Sequence, residues 1–230
     1  MMTDSTISKL IQSFKPAQYN NSFLLSFEGI EGSGKSTQIK LLTQALQKSN
    51  YKVTYFREPG GTDFGETLRS AILKSEQTIA PLAEAHLFAA SRAQLLFQEV
   101  LPRLNQKNHV VILDRFIDSS IAYQGIGRGL GVETVLDLHK EAPLNTTCHC
   151  TVYLKIDIET SFKRQANRGN EKDYFEKETQ SFYDNLINGY DKAAELFPTR
   201  ISIIDGSCSQ DEVHNSILRE VQAKLGIELV

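Results

Sequence analysis

The chain has 230 residues, a net charge of −3 and a pI near 6.0. That length suits one α/β domain with a single core, and the mild acidity argues against a generalised nucleic-acid surface. No stretch approaches the roughly 18 apolar residues of a membrane span. The N-terminus carries no apolar signal region, so a cytoplasmic protein is expected, with neither nucleic acid nor membrane as partner.

Residues 1–21 read as a polar leader, expected to be weakly ordered. The helical spacing of Ile7, Leu10, Ile11 and Phe14 leaves open a short helix docked on the body. Residues 22–230 read as one domain. Its first strand, Phe23–Phe27, runs into Gly29-Ile30-Glu31-Gly32-Ser33-Gly34-Lys35-Ser36, which meets the phosphate-binding pattern G-x-x-x-x-G-K-[ST] at every fixed position. At ordinary residue usage the pattern arises by chance in about one per cent of chains this long. The chemistry follows from the residue types. Glycines let backbone N–H groups turn towards an anion, Lys35 supplies a point charge, and the Ser36 hydroxyl suits Mg²⁺. Thr37 to Ser49 then reads as a helix with its positive end aimed at the same phosphates.

A second strand, Lys52–Phe56, ends at Arg57-Glu58-Pro59-Gly60-Gly61-Thr62, where open α/β sheets bind ligands. Phe64–Lys74 and the longer Pro81–Asn105 read as helices. On the second, Phe88 and Arg92 share a face. Base recognition and ordinary packing beside a solvated arginine both fit that pair, and pattern alone favours packing. His109–Leu113 is a continuous apolar run, expected of a central parallel strand. It ends in Asp114-Arg115-Phe116: an acid suited to the Mg²⁺ shell, and an arginine able to grip a phosphate bidentately. Ser119, Ser120, Tyr123 and Gln124 follow as polar groups suited to a base edge and sugar.

Thr151–Ile156 and Arg200–Ile204 complete five strands, with helices at Ile158–Asn167, Phe175–Phe197 and Ser209–Leu225. The alternation predicts a doubly wound, mainly five-stranded parallel sheet flanked by helices. Residues 163–176, dense in charge around Gly169, fit either a solvated connection or a mobile lid that brings arginine to a phosphoryl group. Cys148, His149 and Cys150 lack the partners of a zinc site. The three cysteines, Cys148, Cys150 and Cys208, are expected to be reduced, incidental thiols.

The phosphate loop, Arg57-Glu58-Pro59-Gly60-Gly61-Thr62, Phe88 with Arg92, and Asp114-Arg115-Phe116 through Tyr123-Gln124-Gly125 follow the order seen in thymidylate kinases, which residues 23–225 resemble. The resemblance implies a nucleoside monophosphate kinase fold, Mg²⁺-dependent transfer of the ATP γ-phosphoryl group to dTMP, and a homodimer. It implies that residues 29–37 (Gly29, Ile30, Glu31, Gly32, Ser33, Gly34, Lys35, Ser36 and Thr37) hold ATP, with Ser36 and Asp114 at the metal. Arg115 and Arg57 would hold the acceptor phosphate, with Glu58 and Pro59 also among the substrate-binding residues. Phe88 would stack on thymine, Arg92 would reach a base carbonyl, and Ser119, Ser120, Tyr123 and Gln124 would line the nucleoside pocket. Glu31 would face the sugar side of the acceptor. Gly32 stands where some members carry a catalytic arginine, so the chain resembles the lid-arginine type, with Arg164 and Arg168 as candidates beside Lys35 and Arg115. A kinase for another nucleoside monophosphate, or a nucleotide switch or ATPase, remain the alternatives.

Overall fold

A computed structural model describes residues 3–19, 21–166 and 179–229. In chain order the elements are α1 (Thr3–Ser13), β1 (Lys15–Pro16), β2 (Phe23–Glu28), α2 (Lys35–Lys48), β3 (Lys52–Arg57), α3 (Asp63–Leu73) and α4 (Pro81–Leu95). A π-helical turn, Leu96–Val100, leads into α5 (Leu101–Leu104) and β4 (His109–Asp114). Then come α6 (Ile117–Ser120), a second π-helical segment (Ile121–Gly127), α7 (Val132–Leu138), β5 (Thr146–Thr147) and β6 (Cys150–Lys155). The chain closes with α8 (Ile158–Ala166), α9 (Gln180–Leu196), β7 (Ile201–Asp205) and α10 (Gln210–Leu225).

The five strands expected from the sequence form one parallel sheet in the order β3-β4-β2-β6-β7. β4 is buried along its whole length, as its unbroken apolar run requires, while the edge strand β3 alternates in exposure. Side chains of period two divide the core into two layers. Leu25, Phe27, Ile112, Val152 and Leu154 meet α2 and α10 on one face. Leu24, Val111, Leu113 and Tyr153 join the layer containing α9 residues such as Tyr183, Leu186 and Tyr190 on the other. From β2 the chain crosses to β3, and from β4 it crosses to β6 on the opposite side. This leaves a crevice at the carboxyl ends of β2 and β4, the place where such sheets bind ligands.

Three parts of the fold differ from the sequence expectation. Residues 3–16 form a helix and a short strand rather than a loose leader. Phe14 is buried edge-to-face on Phe197, Ile7, Leu10 and Ile11 pack on the core, and β1 pairs with β5. The helix expected over Pro81–Asn105 widens into a π-turn just before Pro102, which lacks an N–H and whose ring crowds the preceding turn. Residues 117–138, read only as a run of polar donors and glycines, are largely helical because α9 packs along them. Residues 167–178, including Arg168 and most of the expected 163–176 lid, lie outside the described residues.

Cys148 and Cys150 fall in different core layers, and His149 accepts a hydrogen bond from the Leu24 N–H. Among the described residues no helix is long and apolar enough to cross a membrane.

Candidate active site

The crevice opens into a cavity of about 280 Å³ with the phosphate loop at one end and α4 and the second π-segment at the other. The loop is shaped by its glycines. A Cβ on Gly29 would meet the Leu154 carbonyl oxygen at 2.5 Å, and Gly34, the N-cap of α2, has φ +97°. Lys35 is buried and donates from Nζ to the carbonyls of Gly29 (2.9 Å) and Ile30 (3.2 Å). Burial, then the Arg115 charge, pulls its pKa below the usual lysine value. Ser36 and Gly34 line the cavity, as does Asp114 at the end of β4. Ile30 and Ser33 are buried beneath the loop, and Thr37 is exposed at the start of α2.

Arg115 is held in the left-handed backbone region, φ +73°, which a side chain other than glycine occupies only when its surroundings enforce it. Its N–H donates to the Phe27 carbonyl (3.0 Å). Its guanidinium donates to the Gly29 carbonyl (3.2 Å), the Tyr190 hydroxyl (2.7 Å) and the Glu31 carboxylate (2.9 Å), and lies over the Tyr123 ring. Burial opposes that charge, but Tyr123, Tyr190, Glu31 and Asp114 outweigh it and drive the pKa well up. Beneath it, Glu28 accepts from the Phe116 N–H (2.7 Å) and the Ser119 hydroxyl (2.6 Å). Burial, then the neighbouring Asp118, pushes Glu28 up to about 8. Asp118 itself is paired twice with Arg200 at 2.6 and 2.7 Å.

The Arg57–Thr62 turn forms the opposite wall. Its Glu58–Pro59 peptide is cis. Ser91 accepts from the Gly60 N–H, Glu66 from the Gly61 N–H, and Arg69 donates to the Pro59 carbonyl. Arg57 is half-exposed and 3.7 Å from Glu66. Tyr55 has its pKa pushed up to about 12 by burial and the nearby Asp114 carboxylate.

At the far end, Phe88, Ser119, Tyr123 and Gln124 line the cavity. Arg92 and Ser120 do not. Arg92 is only 1% exposed, and its guanidinium donates to Glu58 (2.7 and 2.6 Å), Ser120 (3.0 Å) and His139 (2.7 Å) while lying over Phe116. Thus Phe88 reaches the cavity, whereas Arg92 is neither solvated nor at the wall. Burial pushes Glu58 up and Arg92 acts against it. Burial and the Arg92 charge lower His139 to about 3. The second π-segment supplies Tyr123 and Gln124 to this region, in keeping with the frequent placement of such bulges at functional sites.

A second cavity of about 290 Å³ lies beyond the loop, between Gly32–Gly34, Gln38, Arg164 and Gly206. Arg164 donates from α8 to the carbonyls of Gly32 (3.2 Å) and Gly206 (2.9 Å).

A family model described as thymidylate kinase matches residues 27–217. The chain belongs to the thymidylate kinase family. It is a dTMP kinase, a phosphotransferase of nucleotide biosynthesis that uses ATP. Thymidylate kinases resembling it include those of Caldanaerobacter subterraneus subsp. tengcongensis, 42% identical over 87% of this chain and 95% of that one, and Kosmotoga olearia, 39% identical over 85% and 93%. The crystal structure of thymidylate kinase from Ehrlichia chaffeensis superposes with a TM-score of 0.67 at 30% identity, covering 88% of this chain and 99% of that one.

Several residues hydrogen-bonded behind the cavity walls escaped the sequence reading. Glu28 closes the first strand next to Gly29, where an acid inside a buried run is itself a signal. Tyr190 on α9 and His139 at the end of α7 carried none, because their partners lie 75 and 47 positions away.

Proposed function

We propose that this enzyme transfers the γ-phosphoryl group of ATP in line to dTMP, without a covalent intermediate, and depends on Mg²⁺ and a lid arginine. The observation that carries it is the convergence of Lys35, Asp114, Arg115 and the loop amides at one end of a cavity whose other end holds Phe88, Tyr123 and Gln124.

The residues fit a divalent cation. Asp114 Oδ1 is buried with no partner among the described residues, and Ser36 shares its cavity, an all-oxygen pair of the kind Mg²⁺ prefers. Asp114 and Ser36 would hold the cation, which would supply neutralisation of phosphate charge when bound. Lys35 and the loop N–H groups hold the donor phosphates. Arg115, with Arg57, orients the acceptor phosphate beside Glu31. Phe88 stacks on the base, and Gln124, Ser119 and Tyr123 line its pocket, while Arg92, bonded to Glu58 and Ser120, lies behind that wall. The acceptor is already an anion, so the chain needs no strong general base.

The lid assignment is supported by Gly32. It has φ +80°, and a Cβ there would sit 3.0 Å from the Ser161 carbonyl oxygen and 3.5 Å from Arg164 Cβ, so a loop arginine has no room. Arg164 already touches the loop, and Arg168 follows four positions later in the sequence. We also infer a cytoplasmic homodimer. Phe97 is 73% exposed just after α4, and Phe64 on the adjoining α3 is exposed too, an apolar surface suited to a second copy.

The test is a panel of nucleoside monophosphates with ATP. dTMP should be the fastest acceptor, and ATP hydrolysis without acceptor should be slow. Faster use of dGMP, AMP or CMP would overturn the base assignment. Light scattering on the wild type and Phe97→Asp tests the dimer, the variant being expected to elute as monomer.

A further inference from the structure

Glu84 is fully buried on α4, one turn before Phe88 and two before Arg92, yet no role in the reaction uses it. Its Oε1 accepts from the side-chain amide nitrogen of Gln124 at 2.8 Å, and its Oε2 lies 3.3 Å from Arg128 Nε. We propose that Glu84 is a positioning residue for base specificity: it sets which edge Gln124 offers to the acceptor base, selecting bases that carry a ring N–H over cytosine.

The chemistry is one of donors and acceptors. A carboxylate ionised beside a guanidinium only accepts, so the amide that meets it must turn its NH₂ towards Glu84 and its oxygen away. Gln124 Oε1 is buried and has no partner among the described residues, while Gln124 itself lines the cavity with Phe88. A buried acceptor of this kind is satisfied by a ligand that donates. Thymine and uracil present a ring N3–H to it. Cytosine presents a lone pair at the same atom and meets oxygen against nitrogen. The inference rests on the base lying beside Phe88, as proposed above.

Glu84→Gln replaces the obligate acceptor with an amide able to donate to Gln124 Oε1, so Gln124 can turn and offer its NH₂ to the base. In steady-state assays with dTMP and dCMP, kcat/KM for dTMP should fall on the order of tenfold or more. The dCMP-to-dTMP ratio should rise at least about tenfold, and KM for ATP should not change. The swap Glu84→Gln with Gln124→Glu restores an acceptor-only group at position 124 and should return the preference for dTMP. A ratio within about twofold of wild type in a folded Glu84→Gln, or a folded double variant that fails to restore it, overturns the proposal. If Glu84→Gln does not fold, Gln124→Met decides: it leaves the Glu84–Arg128 pair intact and should collapse discrimination, and unchanged discrimination overturns the idea. Phe88→Ala separates the two readings, because an unchanged KM for dTMP there removes the base from this site altogether.

Discussion

Arg115 and Glu31 meet at 2.9 Å across the mouth of the cavity, and the same guanidinium reaches the Gly29 carbonyl, so the arginine after β4 is latched to the loop after β2. The pair is partly exposed and contributes little to stability, at most about 1 kcal/mol. Its value is orientation. Arg115→Lys loses the planar fork and should lower kcat/KM for dTMP on the order of 10²-fold, with the melting temperature nearly unchanged. Near-normal turnover in that variant would exclude Arg115 from the acceptor phosphate.

Lys35 is buried under the phosphate loop and anchored to two of its carbonyls. Lys35→Ala should reduce kcat on the order of 10² to 10³-fold by removing a charge that acts on developing negative charge in a site of low dielectric. Single-turnover rates at saturating ATP separate this loss from weakened binding.

The Glu58–Arg92 pair is a matter of stability before it is one of catalysis. Both partners are nearly inaccessible, so Glu58→Ala strands a buried guanidinium and should cost about 3–5 kcal/mol. Thermal unfolding should register a fall of about 10 °C or more. The double variant Glu58→Ala with Arg92→Met removes the stranded charge and should melt higher than Glu58→Ala alone. A double variant that melts lower would contradict this account.

His139 predicts an acid-sensitive step. Its folded pKa is depressed to about 3, against about 6.5 for a free histidine. Between those values the unfolded chain binds a proton that the folded chain refuses. The stability His139 contributes is therefore intact above about pH 6.5 and declines as pH falls towards 3, by up to about 1.4 kcal/mol per pH unit. His139→Asn should show a shallower decline of melting temperature from pH 6.5 to 4.5. Identical slopes in the two proteins would rule out this contribution.

The features legible in the sequence were those encoded by neighbours along the chain. The five parallel strands follow from short apolar runs between helical periods, and the phosphate loop from glycines, Lys35 and Ser36 within eight positions. Asp114 and Arg115 were legible because they cap a buried strand. Local pattern could not settle the surroundings of Phe88 and Arg92: it leaned towards packing beside a solvated arginine, whereas Phe88 reaches the cavity and Arg92 is buried in a hydrogen-bonded network. Nor could it find Glu28, Glu84, His139 or Tyr190. Burial makes an unpaired polar group costly, so each of these must be met by a partner, and the partners come from other strands and helices. Which donor meets which acceptor depends on the sheet order and on how α4, α7 and α9 pack against it, a relation that no window of sequence contains.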